Sequence, residues 1–306
     1  MSGRGSTSDM VNKWKEHLYS FLNSGTLLVC AFLCAYPFYY IIVNSFSDPA
    51  ESAKGVYFWP RGITFSSYEQ LLQIPSIFQS VFISVARTVV GTIITVFCSA
   101  FLGYMVTKKE LLFRSGIYRL IIITMFFNSG LIPWYMLMKT LHLKNNFLLY
   151  VLPGAVSAFF IILVKTYIES LPASLEESAQ IDGAGVWTIF VKIIFPLSLP
   201  IIACIAVFTA VGQWNSWADN FYLVTDSNLN TLQYLLYTNL KSNMADIMRT
   251  SASGTTQGAA LASSGRVTPM SIRYAMTVIT VIPIMLVYPF MQKYFVKGIM
   301  LGAVKG

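Results

Sequence analysis

Six stretches of this chain are each apolar over roughly the twenty residues that a helix needs to cross the hydrocarbon of a bilayer. They run near 24–44, 77–106, 116–138, 147–167, 196–213 and 272–290. Hydrophobic residues make up 55% of the chain and charged residues only 11%, against about 25% charged in a soluble globular domain. In lipid every backbone polar group must be satisfied within the protein, so the pattern predicts an all-α membrane protein with six transmembrane helices. The second stretch exceeds what a crossing requires and predicts a tilted or protruding helix. No N-terminal stretch reads as a cleaved signal: residues 1–23 are polar and no cleavage pattern follows the first apolar run.

Six crossings put both termini on one side. With the termini inside, that side receives Arg4, Lys13, Lys15, Lys108, Lys109, Arg114, Arg119, Lys165, Lys192, Lys293, Lys297 and Lys305. The other side receives Lys54, Arg61, Lys139, Lys144, Lys241, Arg249, Arg266 and Arg273, leaving Arg87 within a span. Twelve against eight follows the positive-inside rule and predicts cytoplasmic termini. The net charge of +8 is therefore read as topology, and no basic-aromatic pattern points to nucleic acid. The chain divides into an N-terminal segment 1–23, a transmembrane domain 24–290 and a tail 291–306. Loop 168–195 falls in the cytoplasm, and loops 45–76 and 214–271 fall outside.

The stretch 176–200, EESAQIDGAGVWTIFVKIIFPLSLP, is the longest interruption of helical character between the apolar segments. Ser174-x-x-Glu177 predicts a capping box at a helix start, with Pro172 limiting extension backwards. A helix of about two turns is expected, ended by Gly183 and Gly185 because glycine tolerates the left-handed conformation that closes a helix. A second helical piece is expected over 187–195, with Lys192 able to reach the membrane surface, before Pro196 and Pro200. A short, rigid, protruding element of this kind can hand mechanical work from a soluble partner to membrane helices. Ala179 and Ala184 would allow close approach, and Glu177 and Asp182 would supply orienting charge.

These residues resemble the Glu-Ala-Ala loop of ABC-importer permeases, in which the triplet is followed after three residues by Gly, after nine more by Ile, and then by x-Leu-Pro. Here Glu177, Ser178 and Ala179 precede Gly183, Ile193, Phe195 and Pro196, with Ser178 and Phe195 departing from the pattern. Further similarity to carbohydrate-importer permeases lies in Phe65-Ser66-Ser67-Tyr68, in Asn145-Asn146-Phe147 with Pro153-Gly154, and in the tail QKYFVKGIMLGAVKG. The branch is that of the MalG-type and LplC-like permeases. The resemblance implies the type I importer (MetI-like) permease fold and a coupling element made by Glu176, Glu177, Ser178, Ala179, Asp182, Gly183 and Ala184. It also implies a tail that reaches the ATPase through Lys297, Gly298, Gly302 and Lys305. The partners it implies are a second permease (MalF-like), an ATP-binding ATPase dimer (MalK-like or MsmX-like), an extracellular solute-binding protein, an oligosaccharide and membrane lipid. The location it implies is the bacterial plasma membrane.

No Walker motif occurs, so ATP and Mg belong to the partner ATPase, and no cofactor is expected on this chain. No nucleophile, base or metal constellation is visible, so no catalytic or metal site is expected. Cys30, Cys34, Cys98 and Cys204 lie within apolar stretches and read as packing residues; His17 and His142 are isolated. Candidate residues of a translocation path are Arg87, Asn128, Trp214 and Asn215. Arg87 either lines a path, where it would suit acidic sugars, or faces a polar interface between helices. Asn128-Ser129-Gly130 and Pro133 predict a bend within the third stretch. Trp214 and Trp217 fit an aromatic belt, although aromatic faces with Asn215 and Asn220 would also suit a sugar. Residues 231–240 read as amphipathic and 251–264 as mobile. The competing reading is a stand-alone secondary transporter or channel for a small polar solute. Against it stand the lack of acidic residues in the spans and of an inverted repeat.

Overall fold

The computed structural model describes residues 5–241, apart from positions 54, 57 and 128, and residues 268–303, with side chains between 15 and 287 (position 53 excepted). Every regular element among the described residues is helical. In chain order these are α1 (Gly5–Ser45), α2 (Pro49–Ala53), α3 (Ser66–Leu72), α4 (Ser76–Thr107), α5 (Arg114–Phe126), α6 (Leu131–Thr140), α7 (Leu148–Val151) and α8 (Ala158–Glu169). There follow α9 (Ser174–Ile181), α10 (Val186–Ile189), a π turn (Phe190–Ile194), α11 (Phe195–Leu197), α12 (Leu199–Asn215), α13 (Ala218–Leu223), a 3-10 turn (Ser227–Leu229), α14 (232–241) and α15 (Pro269–Ala303).

The chain folds as two compact units. One gathers α1 to α3 with the beginning of α15, up to Val278. Its α1 ends in a polar knot: fully buried Asn44 donates to the carbonyls of Tyr40 (2.9 Å) and Val56 (2.8 Å) and accepts from Ser52 Oγ (3.0 Å). Such pairing is what makes a buried amide tolerable. The other unit runs from Leu72 through α14 and takes up α15 from Ile279.

In this second unit α4 is the central rod, with α8 and α12 packed along it. Its 32 residues make it about 48 Å long, so the expected over-long span is a single continuous helix longer than the hydrocarbon is thick. Small residues set the packing distance. A Cβ on Gly103 would lie 2.7 Å from Val164 Cγ1 of α8, and one on Gly91 would lie 2.7 Å from the Gln213 amide of α12. At the C-terminal end of α4 a buried cluster forms from Ala100, Tyr104, Val164, Ile168, Ala179, Phe190, Ile194 and Ile202 with their neighbours. A second cluster, around Ile83, Leu149, Tyr150 and Leu223, lies at the other end.

Among the described residues, three helices are long and apolar enough to cross a bilayer unaided: Lys15–Ser45 within α1, Ser76–Thr107, and Pro269–Val287 within α15. Two bent pairs, α8 with α9 (80°) and the stretch Val186–Leu197 with α12 (79°), raise the number to five if each counts as one span. The all-helical membrane fold expected from hydropathy is found, and the bend expected in the third stretch falls between α5 and α6. The third expected span is divided into α5 and α6, because Gly130 adopts φ 80° at the break. The fourth is broken at Pro153-Gly154, and α8 alone, with 12 residues, is about 18 Å long. The carbonyl freed there is not left bare: Thr95 Oγ1 of α4 donates to Gly154 O at 2.9 Å, as an interrupted helix in lipid requires.

Candidate functional site

The loop singled out by sequence folds as an exposed two-turn helix set at 80° to α8. The capping box does not form. The helix begins one residue early, with Ala173 as its N-cap and no side-chain cap, and Ala173 O accepts from the amides of Glu176 (3.0 Å) and Glu177 (3.1 Å). Ser174 thus lies inside the first turn instead of ahead of it. The C-terminus closes as expected at Gly183, whose φ is 77°. Gly183 N donates to Gln180 O (3.0 Å) and Ala184 N to Ala179 O (2.9 Å), the paired reverse bonds of a left-handed helix cap. Gly185 has no part in that closure: its φ is −73° and it caps the start of α10. From Val186 the chain continues helically through the π turn to Leu197, a little longer than the expected second piece.

The two faces of α9 differ. Ala179 is buried in the cluster at the end of α4, with Ala184 packed against it. Glu177, Ser178, Asp182 and Gly183 are exposed, and Ile181 is 86% exposed. Adjacent glutamates therefore do opposite things, since Glu176 turns inward. It forms an ion pair with Lys108, the residue that caps α4, and accepts a hydrogen bond from Tyr104 Oη at 3.1 Å. The Lys108 ammonium sits 4.0 Å over the Tyr104 ring. Burial pushes this ammonium down to about 8, against the pull of Glu110, which leaves it charged at neutral pH. Alongside, Arg114 donates to Val106 O (2.7 Å) and approaches Glu169 (3.5 Å), which also pairs with Lys165 (2.6 Å). Lys108, Tyr104, Arg114 and Glu169 were not singled out by sequence; only the clustering of charge between apolar stretches hinted at them.

In the N-terminal half of α4, Arg87 is 3% exposed and makes several polar contacts. It donates to Gln213 Oε1 (2.8 Å), Ser216 O (3.2 Å) and Asp219 Oδ1 (3.0 Å), pairs with Asp219 Oδ2, and lies 4.7 Å over the Tyr150 ring. Its donors are thus directed to the segment that ends α12. Trp214 is buried and donates to Thr280 O at 2.9 Å. One side of its ring lines an apolar cavity of about 180 Å³ with Val85, Val89, Val211 and Pro283. Asn215 is exposed and accepts from Gln233 at 2.9 Å. Trp217 stacks on Tyr237 of α14 at 4.0 Å. Arg87 and Trp214 are thus both brought to the contact between α4 and α12.

Asn128, Lys305 and residues 251–264 lie outside the described residues. Lys297, Gly298 and Gly302 fall on the last turns of α15, where no side chain is described. Cys30 and Cys34 are exposed on α1 and so are not packed as expected, while Cys98 and Cys204 are half-buried. Among the described residues no group of three or more His, Cys, Asp or Glu could hold a metal. Asn145 was quoted only for its resemblance. Its side chain ties the start of α7 to the segment after α13, accepting from Thr225 N (2.6 Å) and Asp226 N (3.2 Å).

An all-helical membrane protein with broken spans and a short helix standing off the end of its central rod is built as a transport permease. The chain belongs to the family of binding-protein-dependent transport system inner membrane components, whose model matches residues 10–301. It is 35% identical over 295 residues to the polygalacturonan/rhamnogalacturonan transport system permease protein YtcP of Bacillus subtilis, covering 95% of this chain and 100% of that protein. It is 36% identical over 271 residues to LplC of the same organism, covering 88% of this chain and 89% of that one. Among solved structures it resembles a chain of a bacterial ABC transporter involved in the import of the acidic polysaccharide alginate. There the TM-score is 0.80 with 29% identity, over 92% of this chain and 98% of that chain. The chain is accordingly a multi-pass, non-catalytic component of an ABC-type sugar import system, and the expected permease fold stands.

Proposed function

We propose that this chain is one of two permease subunits of an ATP-driven importer of oligosaccharides derived from acidic polysaccharides. It works by alternating access with a second permease, a separate ATPase dimer and an extracellular solute-binding protein. Both termini and α9 lie in the cytoplasm, in keeping with the excess of Lys and Arg on that side. The observation that carries the reading is α9 itself, a capped helix held to the spans by Ala179 and Glu176 while Glu177, Ile181 and Asp182 stay exposed for the ATPase. Only differential affinity of the ATPase for the inward and outward states can shift the transport equilibrium, so coupling has to run through such contacts. The last turns of α15, with Lys297, Gly298 and Gly302, serve as a second ATPase contact.

The substrate class is supported by the polymers named for the similar permease and the similar transporter, both of which carry carboxylates. Arg87 is already paired with Asp219.

Purification from the native membrane, with mass spectrometry of what accompanies the chain, tests the assembly. Recovery of a second permease, an ATPase and a binding protein is expected. A homo-oligomer that transports alone would contradict it and return the secondary-transporter alternative. Titrating the recovered binding protein with oligogalacturonides and with neutral maltooligosaccharides tests the substrate. A preference for the neutral series would refute the acidic class.

A further inference from the structure

We propose that Lys108 and Glu176 form the joint through which α9 moves α4, which makes both of them positioning residues for transport. The inference rests on α9 being the helix that meets the ATPase. At eight residues it is too short to hold its shape alone, so a push on its exposed face reaches the spans only through what fixes it. Among the described residues, two of its side chains are seen to fix it: Ala179 by apolar contact and Glu176 by charge.

The two attachments are not equivalent. Apolar contact is non-directional and lets surfaces slide, whereas the Glu176 carboxylate is fixed from two sides, by the Lys108 ammonium and by Tyr104 Oη at 3.1 Å. Lys108 is 9% exposed and lies over the Tyr104 ring, so the pair is shielded from water and ions that would weaken a surface bridge. Both of its α4 partners stand at the very end of that helix, where a cation also complements the helix dipole.

What α4 receives there it can carry. It runs as one helix from Ser76 to Thr107 with no proline inside, and Arg87 lies 21 residues before Lys108, about 30 Å along the axis. At Arg87 the helix is clamped again, to Gln213, Ser216 and Asp219 of the segment that ends α12. Two polar clamps on one continuous helix thus connect the ATPase-facing helix to the segment that ends α12. Packed side chains, ion pairs and continuous helices of this kind are one physical route by which coupling between distant sites is carried. Glu177, next in sequence, is exposed and left to face the partner.

The test uses the co-purified complex in proteoliposomes and reads ATP hydrolysis with and without its binding protein, loaded with an oligogalacturonide mixture. Lys108→Met keeps the apolar stem and removes the charge; Lys108→Arg keeps the charge and can stack on the Tyr104 ring. Lys108→Met and Glu176→Gln are each expected to lose roughly tenfold in binding-protein stimulation, within the span of typical couplings. The complex should remain assembled, and Lys108→Arg should retain most of the stimulation. Equal stimulation in Lys108→Met and wild type would overturn the joint, as would loss in Lys108→Arg to the level of Lys108→Met. A wild-type complex with no stimulation at all would instead refute the functional reading, and the joint with it.

Discussion

Arg87 and Asp219 stand 132 residues apart in sequence and meet as a buried ion pair, their side chains 4% and 12% exposed. The pair closes the N-terminal half of α4 against the segment that leaves α12. Asp219 is itself held in place by the Asn220 amide at 2.9 Å. Removing one partner of a buried pair strands the other charge at a cost of about 3–5 kcal/mol, whereas replacing both by apolar residues is often close to neutral. Asp219→Leu should therefore lower the thermal midpoint of the detergent-solubilised complex sharply. Combining it with Arg87→Met should restore much of the loss. A single Asp219→Leu variant as stable as wild type would show that the pair bears no such weight.

The approach of α8 to α4 depends on Gly103, since an added Cβ would lie 2.7 Å from Val164 Cγ1 and 3.2 Å from Ile161 O. Overpacking of this sort costs about 1–3 kcal/mol. Gly103→Ala should destabilise, and Val164→Ala in the same chain should relieve part of the effect. Gly116→Ala is the control, because nothing lies within 4 Å of a Cβ there and alanine favours the helix by about 1 kcal/mol. Thermal unfolding of the three variants checks the order; Gly103→Ala at or above wild type would refute the close approach.

Two glycines flank the same turn and should respond differently. Gly183 has φ 77°, which costs an L-residue roughly 1–2 kcal/mol, while Gly185 has an ordinary extended backbone. Gly183→Ala should loosen the cap of α9 and speed proteolysis of the loop in the purified protein; Gly185→Ala should leave that rate unchanged. Equal rates would mean that the left-handed cap does not hold the helix.

Much of this site is legible in the amino-acid sequence because it depends on spacing within one loop. The Glu177-Ser178-Ala179 to Gly183 interval places a short helix and its glycine stop, and a run of apolar residues with no proline foretells α4. What stays hidden are partners set by long-range packing. Nothing near Glu176 in sequence names Lys108 or Tyr104, and nothing near Arg87 names Gln213 or Asp219. The breaks at Gly130 and at Pro153-Gly154 are legible from residue type, whereas the Thr95 hydroxyl that makes the second break tolerable in an apolar setting is not. The capping box failed for a local reason: Ala173 O already receives the first helical amides, so Ser174 has no free donor ahead of it.

The central claim, that α9 is where a soluble ATPase takes hold of this permease, is tested most directly by photo-cross-linking from position 181. Ile181 is the most exposed large apolar residue of the helix, at 86%, and a benzophenone side chain there can replace it without entering the core. In native membranes the expected adduct joins this chain to an ATP-binding subunit, at a yield that changes when ATP is added. Adducts to lipid or to the chain itself, with none to an ATPase, would contradict the coupling role of α9.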